Sequence, residues 1–154
     1  MKEQKKVLTY IIKRIGKNIL SGKGILNVSL PVDIFCVESN IERLAMSFGF
    51  FPDYLEKAAK IEEPEIQLKY VISSGIASSL IYMTMEKPFN PILGETFQCW
   101  VDNCPIYFEQ VSHHPPIAAF FMKGRGYTVS GTVEAKMDLS INSGKGNNEG
   151  IFHI

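Results

Sequence analysis

The sequence predicts an α+β fold, with a helical part followed by an antiparallel meander. Three observations carry that reading. Before about residue 80, apolar residues recur at helical spacing. From Thr96 onward they alternate with polar ones at every second position. Two proline-marked segments, Lys87–Glu95 and Glu109–Pro116, punctuate the meander with fixed φ angles and missing N–H donors.

Residues 4–20 form an amphipathic helix, with Leu8, Ile11, Ile12, Ile15 and Ile19 on one stripe. Lys5, Lys6, Thr9, Lys13, Arg14 and Lys17 lie on the other, and Gly22 and Gly24 end the helix. Such a helix either packs on the domain's own core or acts as a movable cover, apolar face inward and basic face toward lipid headgroups. The sequence leaves both open. Ile25 to Phe35 is β-branched and extended, interrupted at Pro31. Ser39 and Glu42 form a capping box for a short helix through Leu44, Ala45 and Phe48 that stops at Gly49. Pro52-Asp53 starts another, to about Lys60, and Pro64 opens the longest, where Glu62, Glu63 and Glu65 suit the positive end of its dipole. The run Ser73–Ser79 is rich in small residues, which admits a close neighbour, more often a helix or strand than a ligand.

The first meander strand starts at Thr96, with Phe97, Cys99 and Val101 alternating against Thr96, Gln98 and Trp100, and Asp102-Asn103 makes the turn. Strands over Ile106–Val111, Ile117–Met122, Tyr127–Ala135 and Asp138–Ile141 come next, with a turn at Lys123–Gly126. Asn142–Gly150 is expected to be a polar, glycine-rich loop, and Ile151–Ile154 the start of a strand. Ending on an apolar strand start is odd for a finished protein, because it leaves an unpaired edge; either a fragment or a truncated product is expected.

A length of 154 residues suits one domain, and 45 % apolar and 21 % charged residues are ordinary for a globular protein. The net charge is zero but uneven. Residues 1–23 carry seven basic residues against Glu3, a net +6, so the remainder carries −6. A basic arm on an acidic body points to an anionic partner for the arm, most simply a membrane surface. The acidic body without a basic, aromatic-bearing face excludes nucleic acid. Cys36, Cys99 and Cys104 are odd in number and lack metal-ligand spacing, which fits reduced thiols in a cytosolic setting. No run reaches the roughly 20 apolar residues of a membrane span, so membrane contact is expected to be peripheral.

No catalytic pattern emerges. Ser112 and His113 are adjacent, no Gly-x-Ser-x-Gly elbow or His-Glu-x-x-His motif occurs, and neither glycine-rich stretch fits a phosphate-binding loop. No metal or cofactor is expected. What stands out is Glu109-Gln110-Val111-Ser112-His113-His114-Pro115-Pro116, which presents two imidazoles on a stiff strand end. Extended neighbours face opposite ways, so the rings are expected to diverge and grip something larger than an ion, such as a phosphate. Upstream, Lys87-Pro88-Phe89-Asn90-Pro91-Ile92-Leu93-Gly94-Glu95 is a rigid loop offering a cation at Lys87 and an amide at Asn90. With His113 and His114 these make an anion cradle. The blander reading, that Asn90 and Glu95 only satisfy turn backbone, is adequate for either segment alone.

Taken together, the two motifs resemble the landmarks of the oxysterol-binding protein family, and Leu30-Pro31-Val32 and the Ile41–Leu44 helix sit where such proteins have them. The resemblance spans nearly the whole chain. It implies a lid over residues 1–24, a helical segment over 25–86 and the first strands of an incomplete β-barrel around a lipid tunnel over 87–154, with the family's C-terminal part absent. It also implies that Lys87, Asn90, His113 and His114 hold an inositol phosphate headgroup at the tunnel mouth. Leu8, Ile11, Ile12, Ile15 and Ile19 would line the lid. Family members extract a lipid from a membrane, and many exchange a sterol or phosphatidylserine for phosphatidylinositol 4-phosphate at contact sites. The expected setting is thus cytoplasmic, peripheral at membranes or membrane contact sites. A non-transferring phosphoinositide or sterol sensor is the alternative, and a hydrolase the third reading.

Overall fold

Hydrogen bonding in the computed structural model matches the predicted change of period. Residues 9–10, 12–13, 32, 35–80, 87–140 and 143–154 are described, with backbone only over 135–140 and 143–148. Thr9, Tyr10, Ile12 and Lys13 are helical, as the periodicity predicts. Leu8, Ile11, Ile15 and Ile19 lie outside the described residues, as does all of the expected extended run at 25–35 except Val32 and Phe35.

Phe35 opens strand β1, Phe35–Ser39. Helix α1, Asn40–Ser47, comes directly after it, because the Ser39 side chain accepts from the Glu42 N–H at 3.4 Å and caps its first turn. A 3₁₀ turn at Phe48–Phe50 leads into α2, Phe51–Ala58, with Pro52 in its first turn where the missing donor costs nothing. Helix α3, Pro64–Ser79, is the longest, as expected from its proline and acidic start. Among the described residues its small-residue run receives no close neighbour at Gly75, which has open space beside it, and Gly75, Ser78 and Ser79 instead face a cavity. Ser74 and Ser78 are buried, and their hydroxyls donate back to Val71 and Ser74 carbonyls.

Two sheets complete the fold. Strand β2, Lys87–Phe89, pairs in parallel with β1, so Lys87 starts a short strand rather than a loop. The larger sheet runs in the order β3 (Thr96–Val101), β4 (Cys104–Ser112), β5 (Ile117–Lys123), β6 (Thr128–Ser140), β7 (Ser143–His153), antiparallel throughout. Asp102 and Asn103 both take positive φ, 47° and 61°, which short polar side chains tolerate and which a tight hairpin turn needs. Among the described residues the sheet is not closed, and β3 and β7 form its edges. This is part of a barrel, as the resemblance implies.

The expected loop at Asn142–Gly150 is instead strand. β7 pairs with β6 residue for residue from Ser130↔His153 to Ser140↔Ser143, and β6 runs unbroken where two strands were expected. Ladder bonds are made by the backbone, so a glycine- and asparagine-rich stretch joins a sheet when its partner strand is long enough.

The core forms where the helices lie on the sheet. Ile41, Leu44, Ala45, Phe48, Phe51 and Leu55 meet Ile106, Phe108, Ala118, Phe120, Met122 and Val129. Phe48 anchors the contact, edge-on to Phe108 at 5.4 Å and to Phe120 at 4.8 Å. Each such side chain gains about 1.5–3 kcal/mol on leaving water. Arg125, in the β5–β6 turn, donates to both carboxylate oxygens of Glu56 at 2.8 and 3.0 Å and fastens that turn to α2. The three cysteines are free thiols; Cys104 stands opposite Val101, and Cys99 opposite Ile106. Among the described residues no helix is long and apolar enough to cross a membrane.

Candidate functional site

The inward positions of β4 are Cys104, Ile106, Phe108 and Gln110. Three are apolar, and the fourth puts a primary amide where a hydrophobe is due. Gln110 is 2 % exposed, and its Nε2 donates to the Ser112 carbonyl at 2.6 Å. The ladder to β5 slips here, pairing Gln110 with Ala118 and Ser112 with Ile117, so Val111 is an extra residue. A bulge of this kind bends the strand and re-aims the residues beyond it.

Directly beyond the bulge stands the histidine pair. Residues His113–Pro116 form a turn with a cis His114–Pro115 bond. The rings therefore do not diverge as an extended strand would require. Their centroids lie 4.5 Å apart, edge to face. The expectation of opposed imidazoles fails because the chain leaves the strand conformation at His113.

The upstream segment is tied to the same place. The Gly94 N–H donates to the Gln110 carbonyl, and the Gln110 N–H donates to the Glu95 carbonyl, both at 2.9 Å. Gly94 has φ +78°, which a residue with a Cβ rarely adopts, so the turn Ile92–Glu95 depends on glycine there. Glu95 closes that turn, its Oε2 accepting from the Ile92 N–H at 3.0 Å. The bland reading holds for Glu95.

Asn90, Pro91, His113, His114, Pro116, Gln110 and Asn40 line one cavity of about 190 Å³, floored by Leu44, Ala118 and Val133. Lys87 reaches it through Asn90, its Nζ donating to Oδ1 at 3.4 Å, and that ammonium also lies 5.2 Å from the Phe35 ring centroid. Thus Asn90, His113 and His114 share one cavity, and Lys87 stands outside its lining, bonded to Asn90. Asn40 and Gln110 are site residues that the sequence reading missed. For Gln110 the signal was available, as the polar residue at an inward strand position.

This set offers an ammonium, amide N–H groups and imidazole N–H groups, which is donor chemistry for an anion. Among the described residues no cluster of His, Cys, Asp and Glu could hold a metal ion. A second cavity of about 260 Å³ lies between the helices and the sheet, where Leu44, Phe48, Phe51, Val133 and Phe152 meet Ser47, Ser78, Ser79, Glu149 and two glycines. Its wall is mostly apolar, with a polar side toward α3 and Glu149. An open groove of about 800 Å³ beside α3 has no Lys, Arg or His in its lining and lacks that donor chemistry.

Fold and site together define part of an antiparallel barrel with a polar, donor-lined cavity beside a second cavity that Leu44, Phe48, Phe51 and Phe152 help to line. The sequence profile of the oxysterol-binding protein family matches residues 11–154, and the chain belongs to that family. Oxysterol-binding protein 9 of Dictyostelium discoideum is 36 % identical over 121 residues, covering 78 % of this chain and 28 % of that protein. Human oxysterol-binding protein-related protein 8 is 35 % identical over 144 residues, 86 % of this chain and 16 % of the relative. The Osh3 ORD of Saccharomyces cerevisiae, solved with PI(4)P, superposes with a TM-score of 0.76 at 30 % identity. The match covers 92 % of this chain and 38 % of that one. The Osh1 ORD solved with cholesterol gives 0.75 at 29 % identity, over 84 % of this chain and 32 % of the other. The chain thus spans well under half the length of each of these relatives.

Proposed function

We propose that this chain is the N-terminal part of a lipid-binding and lipid-transfer domain. Its cradle holds the phosphorylated inositol headgroup of phosphatidylinositol 4-phosphate, which is exchanged between membranes for a sterol or phosphatidylserine. The observation that carries the reading is the meeting of Asn90, His113 and His114 at one cavity with buried Gln110, with Lys87 bonded to Asn90 outside its lining. At about 190 Å³ that cavity falls below the roughly 300–1,000 Å³ usual for a whole ligand, so it suits a headgroup and not a lipid. The mostly apolar cavity is too small for a complete sterol on the same scale, and it suits one end of an apolar body. The donor set and the absence of any catalytic pattern favour binding over turnover.

In this reading the N-terminal helix is the lid. Ile12, on its predicted apolar stripe, is 61 % exposed, so at this position the stripe is not buried as a fixed core helix would require, and a lid would bury it only on closing. The domain works at membrane surfaces and contact sites on the cytoplasmic side, drawn to anionic bilayers by its basic N-terminal arm.

The donor-lined cavity favours a second reading, since it can recognise a headgroup without any tunnel. The protein would then sense phosphoinositide or sterol without moving it. Two measurements on the purified chain separate these: mass spectrometry of co-purified lipid, and transfer of fluorescent lipid between donor and acceptor vesicles. Transfer above the spontaneous rate supports the first reading. Vesicle binding with no transfer and no extracted lipid replaces it with the second.

A further inference from the structure

The turn that seats the cradle carries two apolar side chains the headgroup reading does not use. Ile92 is 69 % exposed and Leu93 65 %, and both directly succeed Pro91 in the cavity wall. We infer that Ile92 and Leu93 form a wedge that enters the interfacial zone of an anionic bilayer, setting the cradle mouth against the lipid headgroups. The inference rests on the phosphoinositide reading of the cradle and supplies the surface by which it meets its membrane.

Three properties select a bilayer as the occupant. First, the turn satisfies three of its four N–H donors. The Ile92 N–H is taken by Glu95 Oε2 at 3.0 Å, the Glu95 N–H by the Ile92 carbonyl at 3.1 Å, and the Gly94 N–H by the Gln110 carbonyl. The fourth donor, on Leu93, suits the hydrated interfacial zone and not the hydrocarbon interior. Second, charge is arranged for an anionic surface. The Lys87 ammonium is bonded to Asn90, two residues before the tip, and the donor-bearing cavity of Asn90, His113 and His114 adjoins it through Pro91, while the Glu95 carboxylate is bonded to the turn's own backbone. Third, the tip is rigid, fixed by Pro91, by the left-handed Gly94 and by its two bonds to β4, so little ordering cost falls on insertion. Trp100, 72 % exposed, sits at the opposite end of the β3–β4 hairpin and so belongs to a different surface.

The test uses the full chain and phosphatidylcholine vesicles with a few per cent phosphatidylinositol 4-phosphate. The Ile92→Gln, Leu93→Gln double variant should bind these vesicles roughly tenfold more weakly or worse. It should bind soluble inositol 1,4-bisphosphate as the parent does. Equal vesicle affinity overturns the wedge. Loss of soluble headgroup binding in the parent itself overturns the cradle reading instead, and the two failures are thereby distinguishable. If the double variant does not fold, Leu93→Trp in a Trp100→Phe background decides the matter. Its emission should shift to the blue and be quenched by brominated lipid in anionic vesicles, and unquenched emission refutes insertion. A change of oligomeric state with vesicle binding intact would assign the pair to a protein contact and likewise overturn the proposal.

Discussion

Gly94 and Gln110 are joined main chain to main chain: the glycine N–H donates to the glutamine carbonyl at 2.9 Å, and the Gln110 N–H bonds in turn to Glu95. This exchange makes one site of two motifs that lie apart in the sequence. It fixes the Asn90–Pro91 wall of the cavity against the strand end that bears His113 and His114.

Gln110 should therefore matter beyond its size. Gln110→Ala removes the donor to the Ser112 carbonyl and opens a cavity in a side chain site that is 2 % exposed. The cost is expected to be about 1–3 kcal/mol, a fall of several degrees in Tm by calorimetry. Phosphoinositide binding should weaken with it, because the bulge that turns the chain toward His113 loses its tie. An unchanged Tm would mean that the amide contributes nothing to the bulge.

The histidine pair is tested directly. His113→Ala with His114→Ala should abolish extraction of phosphatidylinositol 4-phosphate from vesicles while reducing capture of a neutral lipid much less. Both rings are exposed, so the fold should be kept, which circular dichroism verifies. A folded double variant that still extracts phosphoinositide sinks the cradle.

Lys87 contributes charge at longer range. Its ammonium is held by Asn90 Oδ1 and lies near the Phe35 ring. Lys87→Ala should weaken phosphoinositide binding and flatten its dependence on ionic strength. If titrations at low and high salt give the same slope with and without Lys87, that charge takes no part.

Tyr127 makes stability depend on alkaline pH. Burial holds its phenol well above the usual range, and the neighbouring Cys104, whose Sγ accepts from the hydroxyl at 3.9 Å, adds to the shift. The unfolded chain releases this proton near pH ~10, whereas the folded protein keeps it. The stabilisation is thus fully present below about pH 10 and is lost as pH rises from there toward the folded-state value. Tyr127→Phe, which has no proton to lose, should show less loss of Tm between pH 9 and 11 than the parent. Parallel curves for the two proteins would contradict the assignment.

Deletion of residues 1–22 separates a lid from a core helix. With Leu8, Ile11, Ile12, Ile15 and Ile19 serving as a cover, the remainder should keep its circular dichroism spectrum, hold lipid poorly and bind vesicles less selectively. Acidic vesicles should recruit the intact chain more than neutral ones, by virtue of the basic outer face. Loss of the fold on deletion refutes the lid.

Much of this architecture could be read from the chain, and the reasons are specific. The Ser39–Glu42 cap, Pro64 and the Phe97–Val101 alternation are local signals for local structure, and each element appears where its signal stands. The β6–β7 hairpin was hidden because its pairing resides in the backbone, which Gly144 and Asn147 advertise to no one. The facing of His113 and His114 was misread for a related reason. Side-chain direction depends on a turn that the Val111 bulge initiates, and a bulge arises from register between two strands, not from either alone. Asn40 was invisible because only the packing of α1 on the sheet brings it to the cavity.

The Gly94–Gln110 tie spans sixteen residues, 110 minus 94, with one hairpin between. The entropy lost in closing a loop of that length is small, and it grows only slowly with length. The cradle's backbone frame is therefore expected to form with the β3–β4 hairpin itself, organised by the Asp102–Asn103 reversal. In pulse-labelled hydrogen exchange during refolding, the amides of Gly94 and Gln110 should gain protection together with those of β3 and β4. Protection of these two amides only in the final phase would show that the recognition element waits for the whole sheet.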